Sequence, residues 1–517
     1  MRLSHFSRRR RFAALASALA FSAAASFADF NAVSSVSAAE NSTQSSQTAE
    51  KPGYAIIASS WVLDDADWAK AVEALKAKHS EKYNVAVIRN DENMFGKLRK
   101  FVPKYACFVV KPEEASRTNL AAIWQMTRAI DDDPYGDVIW GIITGFNADD
   151  AIRMAQVEDR PTVKAVGGTS FNLDRFEEGV CYDEGAKNRR RVKTPGQPAE
   201  VREDAPDDTT RAIAEALDGA QLFVTSGHAT QRDWQIGYSY KNGYFVSQNG
   251  RLYGKPSTGE EPFEIRASGS KIYLASGNCL IGDIDGPNAM VLAYFHSANV
   301  DQMAGYVVPT WFGYMGWGTQ GYYLDQPGRF TVAEAFFANN QALLSLLVRV
   351  EKGELKVPAQ FRRGLLYDRD AFVLYGDPAW QNALVEQESG WAQTLTSEKT
   401  DDGRTLWTLT IEPKNGAKTF NFDASKGSEY NNRPFVQIFP NRVADPKVVP
   451  ARSLTRSSST ILSSFRNRKN RRPAKRSRFK FRPVDARPAA STVPIALTVK
   501  VNLNCFVVAD NVNVFSG

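Results

Sequence analysis

A cysteine and a histidine follow two similar strand-like runs in this chain. Cys279 comes after the apolar run 271–275 and a Gly-containing turn, and His228 comes after the apolar run 222–225 and another. In α/β enzymes, turns at strand ends lift reactive side chains clear of the sheet. A thiol and an imidazole at one sheet edge are the pair that a cysteine nucleophile requires.

The chemistry expected of this pair is nucleophilic attack on a carbonyl. A thiol with an ordinary pKa of about 8.5 is only a few per cent thiolate at neutral pH, so Cys279 needs a base. His228 is predicted to take the thiol proton and later to protonate a leaving amine. The oxyanion also needs donors, and the backbone N–H groups of Cys279 and Ala229 are the candidates.

Simpler interpretations of these side chains stay open at this stage. A lone buried cysteine is usually inert, and a lone histidine more often has a structural role. A metal site is the weaker rival, because no second histidine or cysteine stands at ligand spacing nearby, and none is predicted. Asp283 and Asp285 are expected either to bind a structural calcium ion or to cap a turn. No cofactor is required.

The elements that must position the pair alternate between strands and helices. Such alternation predicts an α/β fold with a parallel sheet covered on both faces. An N-terminal α/β subdomain is expected over 54–160 and a catalytic α/β subdomain over 161–390. The segment Arg189–Asp208 is expected to be an exposed loop, with Arg189–Arg191 as a candidate site of self-processing, and Trp311–Tyr323 an aromatic loop.

Beyond the α/β region the pattern changes to alternate residues. Residues 394–450 predict a small β-sandwich, and 484–517 a last strand or tail. Between them, 451–483 is basic and should be flexible, since it cannot bury a core. Its basic part, Arg452–Arg482, is expected either to be a solvated linker or to contact an anionic cell-surface polymer.

The N-terminus has the pattern of an export signal. Arg8–Arg11 precede the uncharged stretch Phe12–Ala28, which is followed by small residues. This pattern predicts a secretory signal over 1–38 and a disordered lead-in over 39–53. An uncleaved anchor is the alternative, and a twin-arginine route is open. No other stretch is apolar enough to span a membrane, so the mature chain is expected to be periplasmic, cell-surface or secreted.

The overall charge does not favour nucleic-acid binding. The formal charge is +7, but twelve Lys and Arg with no acidic residue fall in Arg452–Arg482, and five arginines precede residue 12. The remaining chain is therefore acidic, so a nucleic-acid partner is not expected.

The two turns, with two further segments, resemble the gingipain-type cysteine peptidases of the caspase-like clan. Segment 225–230, with Trp234, resembles their histidine segment, and Tyr273–Gly282 their cysteine segment. Gly305–Trp317 resembles the strand and loop at the specificity pocket. Leu374–Pro378 is similar to the Gly-Asp-Pro that closes the catalytic domain before an immunoglobulin-like domain. The four segments occur in the family's order, and the resemblance as a whole covers about residues 54–445.

The resemblance implies a caspase-like α/β/α catalytic domain in two subdomains, followed by an immunoglobulin-like β domain at 394–450. It implies Trp317 beside the substrate pocket, with Met315 making that pocket less polar. Glu177 and Glu178 lie near the acidic residue of the family's pocket. Val166 stands where gingipains carry a glutamate that orients the histidine, so a Cys-His dyad is expected here.

These observations predict an exported cysteine endopeptidase that hydrolyses polypeptides through a thioester on Cys279, with His228 as base. The alternative is a catalytically silent surface or adhesion protein that keeps the peptidase scaffold.

Overall fold

A computed structural model describes residues 51–160, 162–169, 173–387, 391–399, 401, 405–413, 433–440, 495–499 and 506–509. The predicted signal (1–38) and the basic segment (451–483) lie outside the described residues, as does all of the lead-in before residue 51. The helices are α1 Ser60–Leu63, α2 Ala69–His79, α3 Met94–Phe101, α4 Arg117–Met126, α5 Ala148–Gln156, α6 Thr210–Gly219, α7 Met290–Ala298, α8 Tyr314–Leu324, α9 Val332–Glu351 and α10 Ala359–Asp368, with a 3₁₀ turn at Pro112–Glu114.

The strands outnumber the helices and form one large sheet and three small ones. They are β1 Gly53–Ala58, β2 Asn84–Arg89, β3 Tyr105–Val109, β4 Ile139–Ile143, β5 Ala165–Thr169, β6 Glu178–Tyr182, β7 Arg190–Lys193, β8 Glu200–Arg202, β9 Leu222–Thr225, β10 Asp233–Gln235, β11 Tyr244–Gln248, β12 Arg251–Lys255, β13 Phe263–Ile265, β14 Lys271–Ala275, β15 Val300–Tyr306, β16 Phe372–Tyr375, β17 Trp391–Lys399, β18 Thr405–Pro413, β19 Phe435–Ile438, β20 Ile495–Val499 and β21 Phe506–Ala509.

Twelve strands form the central sheet in the order β2-β1-β3-β4-β16-β15-β14-β9-β5-β6-β7-β8. Most neighbours are parallel, while β16 is antiparallel to β15, and β7 and β8 form an antiparallel edge. Helices such as α2, α6 and α9 pack on strands β1, β5 and β4. The predicted α/β class is confirmed. Strands from both predicted subdomains belong to this one sheet.

The strands that precede the cysteine and histidine are buried on both faces, as their continuous apolar runs predict. Every residue of β14 and of β9 is buried. Strands covered on both faces read as apolar runs without alternation, which is why both were visible in the sequence. The predicted boundaries of these two strands match the structure.

Two predicted loops are regular elements instead. The aromatic segment Trp311–Tyr323 is largely helix α8, since its glycines and aromatic residues suit a buried helix against β14 and β15. The charged segment Arg189–Asp208 contains the hairpin β7–β8, which extends the large sheet. Arg190 and Arg191 are therefore in a paired strand rather than in an exposed loop.

The sequence predicts a strand over Thr162–Val166 that ends at Gly167-Gly168, whereas strand β5 contains both glycines. A β-carbon at Gly167 would lie 2.4 Å from the Ala216 carbonyl oxygen of α6. Only glycine allows the helix to approach the sheet so closely. The pair of glycines marks tight packing here and does not end the strand.

A four-stranded antiparallel sheet, β10-β11-β12-β13, was not predicted. Its central hairpin turns at Asn249-Gly250, which have φ values of 48° and 72°. Asn-Gly between two alternating runs is a strong signal for a type I′ hairpin. The signal is present in the sequence and identifies this hairpin.

The C-terminal strands form two small antiparallel sheets, β17-β18-β20 and β19-β21. Strand β20 pairs with β18 and β21 pairs with β19, so both strands of the predicted tail region join strands of the 394–450 region. Residues 414–432 and 441–450 of that region lie outside the described residues.

A buried ion cluster joins β1 and the end of helix α2 to the segment that follows β16. The Asp377 carboxylate accepts hydrogen bonds from Tyr54 Oη at 2.8 Å, from Lys78 Nζ at 2.9 Å and from His79 Nε2 at 2.7 Å. Burial alone would raise the pKa of Asp377, but Lys78 and His79 outweigh it and hold that pKa well below its usual range. The Gly-Asp-Pro segment is thus a structural anchor.

No helix within the described ranges is both long and apolar enough to cross a membrane.

Asp377→Asn should lower the free energy of unfolding at pH 7 by about 3 kcal/mol, because it leaves Lys78 without its buried counter-ion. The contribution of Asp377 is present above its unfolded-state pKa of about 3.9 and is lost as the pH falls below that value, since its folded-state pKa is depressed. Urea denaturation between pH 3 and 7 should therefore show a flatter acid limb for the variant.

Asp67→Asn is the control, because the Asp67–Lys70 pair is exposed and should contribute little. Equal effects of the two substitutions would contradict the structural role of Asp377.

Candidate active site

The two candidate catalytic residues lie at one edge of the large sheet. Strands β9 and β14 are parallel neighbours, and Thr225 is in register with Ala275. Because both strands run in the same direction, the turns that follow them leave the sheet at the same, carboxyl edge. Cys279 and His228 therefore lie in adjacent turns, as the sequence predicted.

The Asn278 side chain ties these two turns together. Asn278 is 0% exposed; its Nδ2 donates to the Ser226 carbonyl at 2.9 Å, and its Oδ1 accepts from Thr225 Oγ1 at 2.7 Å. Trp234 Nε1 also donates to the Ser226 carbonyl, at 2.9 Å. The cysteine turn is thus bonded directly to the backbone that immediately precedes His228.

Cys279 is half-buried, and its thiol contacts the segment that follows β15. Thr310 N–H donates to Sγ at 3.3 Å, and the thiol donates to the Thr310 carbonyl at 3.5 Å. Within the described chain, Thr310 is the hydrogen-bond partner of this thiol. Leu280 follows with φ of 57°, a left-handed conformation that costs a non-glycine residue about 1 kcal/mol and is typical of functional turns.

His228 is exposed, and its ring stacks on Tyr238, with centroids 5.1 Å apart and planes at 28°. Its carbonyl accepts from Gln235 N–H at 2.8 Å, which fixes the backbone of the turn. In the part of the chain that the structure describes, the imidazole has no hydrogen bond to Cys279. Catalytic hydrogen bonds in substrate-free sites are often loose, so the thiol and the imidazole remain candidates.

The two predicted oxyanion donors are available. Neither the Ala229 nor the Cys279 amide N–H donates a hydrogen bond to any residue of the described ranges. Free backbone N–H groups at a sheet edge are suited to bind a developing negative charge. The donor role of these amides stays a prediction.

A carboxylate that sequence reasoning missed lies under the histidine turn. Glu184 is 4% exposed, and its Oε2 accepts from Ser226 Oγ at 2.7 Å. A β-carbon at Gly227 would lie 3.1 Å from Glu184 Oε1. Burial raises the pKa of Glu184 to about 7, although hydrogen bonds from Ser226 and Thr169 act in the opposite direction.

Glu184 also holds the loop that carries Tyr238. Its carbonyl accepts from the N–H groups of Tyr238 at 2.8 Å and Ser239 at 3.0 Å. Glu184, in the loop that follows β6, therefore supports both the backbone before His228 and the Tyr238 ring that stacks on His228. Glu184 reaches the histidine turn because of the strand order β14-β9-β5-β6. No local sequence pattern indicates this role.

Trp317 lies against the cysteine turn, whereas Met315 does not face a cleft. A β-carbon at Gly277 would lie 3.1 Å from Trp317 Cζ2, and the indole is half-buried. Met315 is fully buried, and its sulfur contacts Asn339 Nδ2 of α9 at 3.4 Å. The location of Trp317 fits a pocket wall, while Met315 is a core residue on the other side of α8.

The structure does not bring Glu177 and Glu178 to this edge. Glu178 is in register with Ala165 at the start of β5, and Glu177 N–H bonds to the Lys164 carbonyl. Because β5 and β6 run parallel to β9 and β14, these glutamates lie at the amino edge, the opposite end of the strands. Their predicted role in the pocket finds no support in this register.

The carboxylates after the cysteine turn have protein partners. Asp283 accepts from Gln231 Nε2 at 3.0 Å, and Asp285 forms an ion pair with Arg232. These contacts tie the cysteine turn to the segment after His228. Calcium binding there stays a prediction.

One acidic group in the described residues has the spacing of metal ligands. Ligand oxygens of Asp131, Asp133 and Asp137 lie within 4.8 Å of one another, in the loop before β4. Asp137 also accepts from the Ile130 N–H at 2.9 Å. Strands β16 and β15 separate β4 from β14 in the sheet, so this group is not part of the candidate active site.

A cavity of about 380 Å³ adjoins the cysteine turn. It lies between the segment 284–287 and the loops that follow β3 and β4, and its lining includes Glu113 and Phe146. Its lining includes neither Cys279 nor His228, so this cavity is not assigned to the candidate active site.

Comparison with known proteins gives one distant structural likeness. The chain matches no protein-family model and no curated protein. One solved structure, described as "Structure of Protease", aligns with 70% of this chain and 95% of its own, at 10% identity and a TM-score of 0.38. A likeness this low carries no argument about activity, which has to rest on the site itself.

Asn278→Ala should destabilise the protein by about 1–3 kcal/mol, because Thr225 and the Ser226 carbonyl lose a buried partner. It should also loosen the spacing of the two turns. The free energy of unfolding from urea titration tests the first effect. Asn119→Ala, which removes a bond at an exposed helix start, is the matched control and should cost less.

Glu184→Gln should change how stability depends on pH. The raised folded-state pKa means that Glu184 contributes stability below its unfolded pKa of about 4.3, which is lost as the pH rises through 7. Wild type should therefore lose roughly 2–3 kcal/mol from this group between pH 4.5 and 7.5, by the conversion of pKa shift to free energy. The variant should lack that loss in urea titrations across this range; an identical pH profile would contradict the assignment.

Proposed function

We propose that this protein is a cysteine endopeptidase in which Cys279 is the nucleophile and His228 the general base. The single observation that carries the proposal is the pairing of β9 with β14, which places both residues in turns bonded to each other through Asn278. The free amides of Ala229 and Cys279 support it. The sequence resemblance to gingipain-type peptidases, which rests on the same turns, agrees with this assignment.

The reaction needs one proton carrier and one oxyanion site. The Cys279 thiol gives its proton to the His228 imidazole, and Sγ forms a bond to the carbon of the scissile carbonyl. The oxyanion is bound by the two amides. The C–N bond then breaks, the amine leaves with the proton from His228, and a thioester remains. Water attacks the thioester with His228 as base, which releases the carboxylic acid and restores the thiol.

Glu184 is proposed as a positioning residue for the histidine turn. It acts through Ser226 and the Tyr238 loop, and it does not bond the imidazole itself. The resemblance implies a glutamate that orients the histidine, and Val166, at the position expected for it, is a buried apolar residue. Glu184 supplies a carboxylate from the loop that follows β6.

The protein is further proposed to be exported and to act on polypeptides outside the cytoplasm. The support is the basic and apolar pattern of residues 8–28. A contact of Arg452–Arg482 with an anionic polymer is part of the same proposal and should weaken with salt.

Purified protein should hydrolyse an unfolded polypeptide and be labelled by a peptidyl acyloxymethyl ketone. Cys279→Ala should abolish labelling and reduce hydrolysis by at least about 10³-fold, because the proposed thioester forms on the Cys279 sulfur. His228→Ala should reduce both strongly. Gel fluorescence with a tagged probe and mass spectrometry of the labelled peptide are the measurements.

Cys181→Ala is the control, since that thiol is buried in β6 and should not be labelled. Absence of cleavage and labelling in wild type, or unchanged activity in Cys279→Ala, would leave the non-catalytic surface protein as the better interpretation.

A further inference from the structure

Two exposed aromatic side chains stand on opposite sides of the candidate catalytic pair. The described chain has six large apolar residues that are clearly exposed, and two of them are Tyr238, 63% exposed, and Trp311, 45% exposed. Tyr238 stacks on His228, while Trp311 directly follows Thr310, which hydrogen-bonds the Cys279 thiol. Exposed aromatic surface next to reactive groups is informative, since most such surface is buried.

Both aromatic residues are held in place before substrate arrives. Trp311 packs on Phe312 and Tyr367, with ring centroids 5.6 and 6.1 Å away, and Tyr367 Oη donates to the Pro309 carbonyl at 2.8 Å. Tyr238 N–H is bonded to the Glu184 carbonyl at 2.8 Å. Aromatic surfaces that are already ordered bind apolar groups with little further loss of conformational entropy.

The order of the strands places these residues along one line. From β15 to β14 to β9, the carboxyl edge presents first the Thr310–Trp311 segment, then the Cys279 turn, then the His228 turn. Tyr238 lies beyond, because its loop is bonded to Glu184 after β6. A polypeptide that crosses this edge would therefore pass Trp311, the thiol, the imidazole and Tyr238 in that order.

The chemistry assigns a direction to such a substrate. The leaving amine must lie beside His228, which protonates it, so the residues after the scissile bond extend toward Tyr238. The acyl part stays bonded to Cys279 and extends toward Trp311. This assignment rests on the proposed function.

Charge at the site does not oppose an apolar substrate. The carboxylates of Asp283 and Asp285 are bonded to Gln231 and Arg232, and the Glu184 carboxylate is bonded to Ser226. The carboxylates at the neighbouring cavity are those of Glu113 and Asp285, which lie on different loops from either aromatic residue.

We propose that Trp311 and Tyr238 are specificity-determining residues that bind bulky uncharged side chains on the acyl side and the leaving-group side of the scissile bond, respectively. The preferred substrate is thus an unfolded polypeptide with aromatic or large aliphatic residues flanking the cleaved bond. The two proposed subsites thus lie on different loops, so a substitution can remove one subsite without the other.

The test is a peptide library with cleavage positions read by mass spectrometry, together with a peptidyl 4-nitroanilide that has an apolar acyl part and no residues after the scissile bond. Tyr238→Ala should erase the apolar preference after the cleaved bond and leave the preference before the bond as in wild type, because the acyl part of the substrate extends toward Trp311. Trp311→Ala should erase the preference before the bond and lower kcat/KM for the 4-nitroanilide roughly tenfold, the low end for an apolar subsite.

Tyr238→Phe should retain the wild-type profile. Trp61→Ala is the matched control: Trp61 is 60% exposed and follows β1, five strands from β14 and so on the order of 20 Å away. Selection of Lys or Arg by wild type, or profiles that neither variant changes, would overturn this inference while leaving the peptidase proposal intact. Absence of both cleavage and acyloxymethyl ketone labelling in wild type would overturn the peptidase proposal and this inference with it.

Discussion

The candidate site depends on the buried amide of Asn278. Parallel pairing of β9 and β14 determines which edge the two turns share, but pairing ends at Thr225 and Ala275, before either reactive residue. Beyond that point, Asn278 fixes the spacing of the turns through its bonds to Thr225 and Ser226. A buried amide with partners on both its oxygen and its nitrogen is rigid, because any other arrangement would leave a buried polar group unsatisfied.

Around this link, the structure separates groups that hold the site from groups that react in it. Glu184 bonds Ser226 and the Tyr238 loop from beneath, and Thr310 contacts the thiol from the side of β15. The thiol and the imidazole are themselves accessible. Such a division, with a rigid polar frame below and free reactive groups above, is typical of sites that are organised before substrate binds.

The sequence was informative where structure is local. The strands before Cys279 and His228 were predicted because strands buried on both faces are continuous apolar runs, and the turns because they contain glycine. Glu184 and Tyr238 could not be found in this way, since their place depends on strand order across the whole sheet. Met315, Glu177 and Glu178 were predicted near the substrate pocket, and the structure does not bring them there. Helix α8 turns Met315 into the core, and the register of β6 places the two glutamates at the amino edge of the strands.

The hairpin β7–β8 affects whether the protein could cleave itself by the proposed reaction. Arg190 and Arg191 lie in a strand whose backbone is paired on both sides, with β6 and with β8, and Arg190 is bound by both oxygens of Asp204. A peptide bond can enter a peptidase cleft only when its segment is extended and no longer paired with neighbouring strands. This stretch of adjacent arginines therefore cannot reach the candidate catalytic pair unless the hairpin first separates from the sheet.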